Sequence, residues 1–172
     1  MPKKETIERA ERDKRQGKSP STQAGEFVKE TMDEIREGKH GARSTKQAIA
    51  IGLSKARRAG VKLPPPKKGT TSEKTRRSAE RAYEAGQEHR GSHVNSKRSR
   101  AITKALKREG HEAASTESLS RQARTQAAKR TPAEKRAIGR KAAKTRLAHE
   151  SPAQRSAIAR KAARTRAMHK SR

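Results

Sequence analysis

The chain has 172 residues, of which 46 are Lys or Arg and 18 are Asp or Glu, so its formal net charge is +28. Only 28% of the residues are hydrophobic and 1% aromatic, which excludes a large core, because burial contributes roughly 25 cal/mol per Å² of apolar surface while ordering one residue costs about 1–2 kcal/mol. The absence of cysteine excludes disulfides, thiolate nucleophiles and cysteine-ligated zinc, and no apolar run reaches the ~20 residues of a membrane span.

Residues 1–18 form the first predicted unit, a charged helix over about 4–16 that ends at Gly17. Glu8 and Arg12 are one of its oppositely charged pairs at i,i+4 spacing, which stabilise an isolated helix. The pattern favours a solvated single helix over a helix that binds a partner.

Residues 19–62 form the second predicted unit, a helical hairpin with the best material for a core. A helix over 19–37 carries Phe27, the single Phe of the chain, on an apolar face. The next helix, over 44–60, begins with Ser44-Thr45-Lys46-Gln47, which is typical of a capping box. We expect the apolar faces of the two helices to pack together and the hairpin to serve self-association or a protein contact.

Three consecutive prolines in residues 63–69 forbid helix and predict a stiff, extended spacer. Residues 70–130 follow as a basic helical region. Its predicted helices are one that begins with a cap at Thr70 to Glu73 and ends near Gly86 or Gly91, one over 96–109, and one over 115–130.

The last predicted unit, residues 131–172, is an internal duplication with a period of 20 residues. Residues 131–150 (TPAEKRAIGRKAAKTRLAHE) and 151–170 (SPAQRSAIARKAARTRAMHK) are identical at 11 of 20 positions. Each copy begins with Thr or Ser, then Pro, then Glu or Gln three residues after the first position, which predicts a capped helix with Pro at its start. The duplication therefore predicts two helices of about 16–18 residues that are separated between residues 150 and 151.

Basic residues dominate the duplication, with 13 Lys or Arg against 2 Asp or Glu in residues 131–172. So dense a charge predicts a polyanionic partner, and nucleic acid is the commonest. The basic stretches carry mostly Ala, whereas membrane-surface helices carry Leu, Phe or Trp on one face, so we expect no membrane partner. In the duplication we expect phosphate contacts from Arg136, Arg140, Lys141, Lys144, Arg146, Arg155, Arg160, Lys161, Arg164 and Arg166. Further contacts are expected from Lys97, Arg98, Arg100, Lys104, Lys107 and Arg108, and from Lys55, Arg57 and Arg58 in the hairpin.

The expected binding is independent of base sequence. No zinc-finger spacing, leucine zipper or aromatic RNA-binding motif is present, and the basic region offers only Tyr83 and histidines for stacking on bases. Like charges at i,i+4 destabilise a free helix, so we expect helix content to rise when phosphate neutralises them.

No constellation of residues predicts catalysis, so we expect no enzymatic activity, no cofactor and no small-molecule substrate. His89 and His93 have i,i+4 spacing, but Gly91 lies between them and no acidic partner follows, which favours a surface pair over a metal site. His149 and His169 recur at the repeat period, which favours a place on the basic face over metal binding.

Residues 44–60, STKQAIAIGLSKARRAG, resemble a helix motif of small basic bacterial proteins of the form K-Q-A-I-A-I-x-L-S-x-A-R. Gly52 stands where that motif has Ala, and the resemblance extends over about 26–60. It implies a bacterial source and a short helical unit, with no established activity. The Ala/Lys/Arg-rich C-terminus also resembles the tails of bacterial linker-histone-like proteins, which implies DNA compaction.

The sequence thus predicts an all-α chain of separate short helices with a small N-terminal hairpin, substantially disordered when unbound. We expect a cytoplasmic protein of the nucleoid that binds DNA and compacts it. Two alternatives stay open: an RNA- or ribosome-associated basic protein, and a stress or interaction adaptor that acts through the N-terminal helices.

Overall fold

The computed structural model describes residues 2–88 and 96–170, and its regular structure in these ranges is helical throughout. The chain divides into two compact units, an N-terminal unit (Met1–Arg124) and a C-terminal unit (Thr125–Arg172). The helices are α1 (Lys4–Arg15), α2 (Pro20–Arg36), α3 (Thr45–Arg58), α4 (Glu73–Gln87), α5 (Ser96–Lys107), a short 3-10 helix (Glu112–Ala114), α6 (Thr116–Ala128), α7 (Pro132–His149) and α8 (Pro152–Lys170).

The predicted hairpin is confirmed as an antiparallel pair of α2 and α3. Phe27 in the middle of α2 packs in one buried cluster with Ala56 near the end of α3, while Ile35 near the end of α2 packs with Ala48 near the start of α3. The two helices approach closely at Gly52, where a Cβ would lie 2.6 Å from the Cα of Val28. The Gly that departs from the expected Ala is therefore required by this close approach.

The prediction of a solvated first helix is wrong, because α1 packs on α2. Thr6 and Ala10 are buried, and Ala10 joins the cluster around Phe27. The Lys3 amide donates a hydrogen bond to the Glu30 carboxylate over 2.7 Å, so a side chain of α2 caps the N-terminus of α1. The partner of this helix lies within its own chain.

Helix α4 packs on α3 through small residues. Ala79, Ala82 and Gly86 are its buried positions, and a Cβ at Gly86 would overlap the carbonyl oxygen of Arg57. The expected cap at Thr70 is wrong by two residues: Ser72 is the N-cap, and its hydroxyl accepts a hydrogen bond from the Thr75 amide over 3.3 Å.

A segment beyond α5 completes the core of the N-terminal unit. Ala113 and Ala114 are buried in the cluster around Ile35. The Thr45 hydroxyl donates to the Ala113 carbonyl over 2.8 Å, and the Arg36 side chain donates to the Ala114 carbonyl over 3.0 Å. The unit therefore extends well past the hairpin, across the Pro-rich spacer.

Candidate nucleic-acid interface

The C-terminal helices α7 and α8 both begin with the predicted reciprocal caps. In α7 the Thr131 amide donates to the Glu134 carboxylate over 2.7 Å, and the Glu134 amide donates to the Thr131 hydroxyl over 3.2 Å. In α8 the Ser151 amide donates to the Gln154 side chain over 2.8 Å, and the Gln154 amide donates to the Ser151 hydroxyl over 3.3 Å. The two helices begin at Pro132 and Pro152, as the duplication predicts.

These two caps differ in one titratable group, which predicts a pH dependence confined to α7. Hydrogen bonds from Thr131, first from its backbone amide, lower the pKa of Glu134 below its ordinary value. Because the pKa of Glu134 is lower in the folded state, the cap stabilises α7 fully at pH values above the unfolded pKa of about 4.3. This stabilisation is lost as the pH falls through the pKa of Glu134 in the folded state.

We expect α7 amide signals in NMR spectra to show helix loss in acid, while α8, whose cap uses uncharged Gln154, shows no such step. Glu134→Gln should give α7 the same flat pH profile as α8. An acid step of equal size in both helices, or one that persists in Glu134→Gln, would contradict this origin.

Basic side chains recur at the same helical positions in α7 and α8. At about 100° per residue, the five shared positions cover roughly two-thirds of the helix circumference. They are Lys135 and Arg155, Arg140 and Arg160, Lys141 and Lys161, Lys144 and Arg164, and Arg146 and Arg166. All ten are exposed except Arg155, which is half-buried, and Lys135 is an addition to the predicted set. Arg136, predicted in α7 only, is also exposed.

Acidic groups neutralise little of this charge. Arg146 contacts Glu150 over 3.4 Å, and the Glu134 carboxylate is engaged in the cap of α7. Among the described side chains of the C-terminal unit, no other basic group has an acidic ion-pair partner. Both helices therefore present cations that are available to an external anion.

Helix α5 also carries its predicted cations on the surface. Its exposed basic side chains, with the residue that follows the helix, are Lys97, Arg98, Arg100, Lys104, Lys107 and Arg108. The end of α5 is attached to the loop between α2 and α3, because the Gly41 amide donates to the Leu106 carbonyl over 2.8 Å and the Ala42 amide donates to the Gly110 carbonyl over 3.0 Å.

The three cations predicted in α3 have different environments. Arg57 is buried and donates to the carbonyls of Leu63 and Pro64, each over 3.1 Å, and burial lowers the pKa of its guanidinium. Lys55 contacts the Glu34 carboxylate over 2.5 Å. Arg57 is thus misassigned as a phosphate contact: it fastens the start of the Pro-rich spacer. Lys55 already has an internal counterion, whereas Arg58 is exposed.

A basic row on α4 lies in the predicted basic helical region 70–130 but is absent from the phosphate contacts predicted above. Lys74, Arg77 and Arg81 are exposed and follow one another at i, i+3 and i+7, which places them on one side of the helix. They line an open groove of about 450 Å³ together with Arg98 of α5 and the side chains of Glu73 and Ser78. The i, i+3, i+7 spacing is the signal that could have identified this row.

The histidine predictions receive no structural test. His89 and His93 lie outside the described residues. Within the described ranges, no group of three or more His, Cys, Asp or Glu side chains is placed to hold a metal ion. In the same ranges, no helix has both the length and the apolar character needed to cross a membrane.

Residues 4–68 match the family model DUF6496, which is described as a family of unknown function. The match covers α1, α2, α3 and most of the spacer, and it includes the motif over 44–60. This agrees with the predicted resemblance to proteins without an assigned activity, while the bacterial source remains a prediction. No curated protein and no solved structure matches the chain.

Proposed function

We propose that this protein binds nucleic acid independently of base sequence, by neutralising backbone phosphates, and that duplex DNA of the nucleoid is the polymer it compacts. The observation that carries the proposal is the pair of capped helices α7 and α8, which carry cations at matching positions. Among the described side chains, one of these cations, Arg146, forms an ion pair with an acidic residue, Glu150. Like charges this close repel one another, and phosphates relieve that repulsion while releasing their own counterions.

The shape of these helices favours duplex DNA over duplex RNA. α7 has 18 residues, which makes it about 27 Å long. The DNA major groove admits an α-helix, and cations spread over most of the helix circumference would face the phosphate backbones on both sides of that groove. The major groove of duplex RNA is deep and too narrow for side chains to read.

The chemistry of these surfaces supports backbone binding rather than base recognition. Arg, Lys and Ala make up most of α7 and α8, and neither helix contains Phe, Tyr or Trp, which leaves one histidine in each as the only ring that could stack on a base. Backbone contacts position a protein on nucleic acid without carrying sequence information. We expect helix content to rise on binding, as the neutralised side chains cease to repel one another.

Competition at fixed salt tests this assignment. The full chain, purified with nuclease, is bound to a labelled DNA duplex and challenged with unlabelled DNA duplexes of different sequence and with an RNA duplex of equal length. We expect all DNA competitors to be equally effective and the RNA duplex to be weaker. An RNA duplex that competes more strongly would assign the protein to RNA, and a single preferred DNA sequence would contradict backbone binding.

A further inference from the structure

A second cationic surface lies in the N-terminal unit, in the groove between α4 and α5. Lys74, Arg77 and Arg81 on α4 and Arg98 on α5 line this groove. The acidic side chain beside them, Glu73, contacts Arg76 over 2.7 Å and Arg77 over 3.4 Å. Glu73 is shared between Arg76 and Arg77, so the charges of Lys74 and Arg81 keep the α4 side of the groove positive.

The packing of α4 holds its basic row outward. Ala79, Ala82 and Gly86 are buried. At about 100° per residue, Arg77 lies opposite the centre of this buried face, and Lys74 and Arg81 lie about 110–130° away from it. The same small-residue face that attaches α4 to α3 therefore directs these cations to solvent. No acidic ion-pair partner of Lys74 or Arg81 occurs in the part of the chain that the structure describes.

The α4 wall of the groove is packed on the N-terminal unit, and α5 is attached to that unit at its C-terminal end. α4 is attached to α3 at Gly86, and the end of α5 is attached to the loop at Gly41 and Ala42 by backbone hydrogen bonds. Cations held by a packed scaffold lose less conformational freedom on binding than cations on an unpacked helix. This distinguishes the basic row of α4 from the cations of α7 and α8, whose side chains are almost all exposed.

We infer that the groove is a second phosphate-binding site, and that one chain therefore holds two duplex segments, one in the groove and one on α7 and α8. The inference rests on the proposed function and extends it from binding to bridging. It requires only that each unit carries its own cationic surface, which is consistent with the division of the chain into two compact units.

A bridging assay on the full chain tests the inference. One duplex is fixed to beads, and capture of a second, labelled duplex is measured alongside the affinity for a single duplex. In the variant Lys74→Gln/Arg77→Gln/Arg81→Gln we expect capture to fall by about tenfold or more, while single-duplex binding through α7 and α8 persists. All three side chains are exposed, so circular dichroism should show an unchanged helix content.

The matched control removes three other exposed cations of the N-terminal unit, by Lys4→Gln/Arg12→Gln/Lys14→Gln. Its capture should equal that of the parent chain. Capture that survives in the groove variant, or that falls equally in both variants, would overturn the inference, because self-association or net charge would then explain bridging. Single-duplex binding with no capture by the parent chain would also overturn it and leave the proposed function standing, whereas no duplex binding at all would overturn both.

Discussion

A variant with Arg140, Lys144, Arg160 and Arg164 replaced by Gln should bind duplex DNA about 4,000-fold more weakly than the parent chain at about 0.1 M salt. Each phosphate contact contributes about 0.9 to the slope of log affinity against log salt. The loss of four contacts therefore reduces the steepness of that slope by about 3.6. Taking about 1 M salt as the reference at which parent and variant bind equally, the affinities differ by about 3.6 decades at about 0.1 M, one decade lower in salt. The four positions are exposed and recur at matching sites of α7 and α8.

Fluorescence anisotropy with a labelled duplex measures this loss. The control exchanges the same four residues between Arg and Lys, which preserves the charge and should preserve the salt slope. All four substitutions keep good helix formers, so helix content is a suitable check on folding. Equal affinities of the Gln variant and the charge-preserving variant would show that these cations do not contact phosphate.

Phe27→Ala should unfold much of the N-terminal unit. Phe27 is 1% exposed and is the largest fully buried side chain of the described residues. Truncating a buried Phe to Ala typically costs about 3–5 kcal/mol, and a small domain has only about 5–15 kcal/mol of stability in total. The buried neighbours Ala10, Ala24 and Ala56 contribute little area and offer little material to refill the cavity.

Thermal unfolding followed by circular dichroism measures this effect, with Ile102→Ala as the control. Ile102 lies on α5 and is 50% exposed, so its truncation should leave the transition nearly unchanged. Transitions shifted equally by the two substitutions would contradict the assignment of Phe27 to the core. Duplex binding by α7 and α8 should survive Phe27→Ala, since their cations do not depend on that cluster.

Local signals made the helices and most of their ends predictable. A cap such as Thr131 with Glu134 is complete within four residues, and the Pro after it sets the first helical position. The cap of α3 was only half predicted: the Gln47 amide donates to the Ser44 hydroxyl, but the Gln47 side chain accepts from the Arg43 amide instead. The amides of Arg43 and Ser44 are adjacent and compete for the same Gln47 side-chain oxygen. Which of them binds it depends on the conformation of the Gln47 side chain, and residue type alone does not determine that conformation.

Contacts between distant segments were the part that sequence patterns missed. α1 packs through Thr6 and Ala10, and the 3-10 helix packs through Ala113 and Ala114. Small side chains such as Ala and Thr give a weak hydrophobic periodicity, because they occur on both the buried and the exposed face of a helix. The burial of Arg57 had the same cause: nothing in its local sequence indicates the two spacer carbonyls that accept its hydrogen bonds.

The affinity of the purified, nucleic-acid-free chain for a DNA duplex, measured between about 50 mM and about 200 mM salt, tests phosphate neutralisation most directly. With about 6–10 phosphate contacts we predict a loss of roughly 10³–10⁵ in affinity over this range. Affinity that stays constant across the range would contradict phosphate neutralisation as the basis of binding.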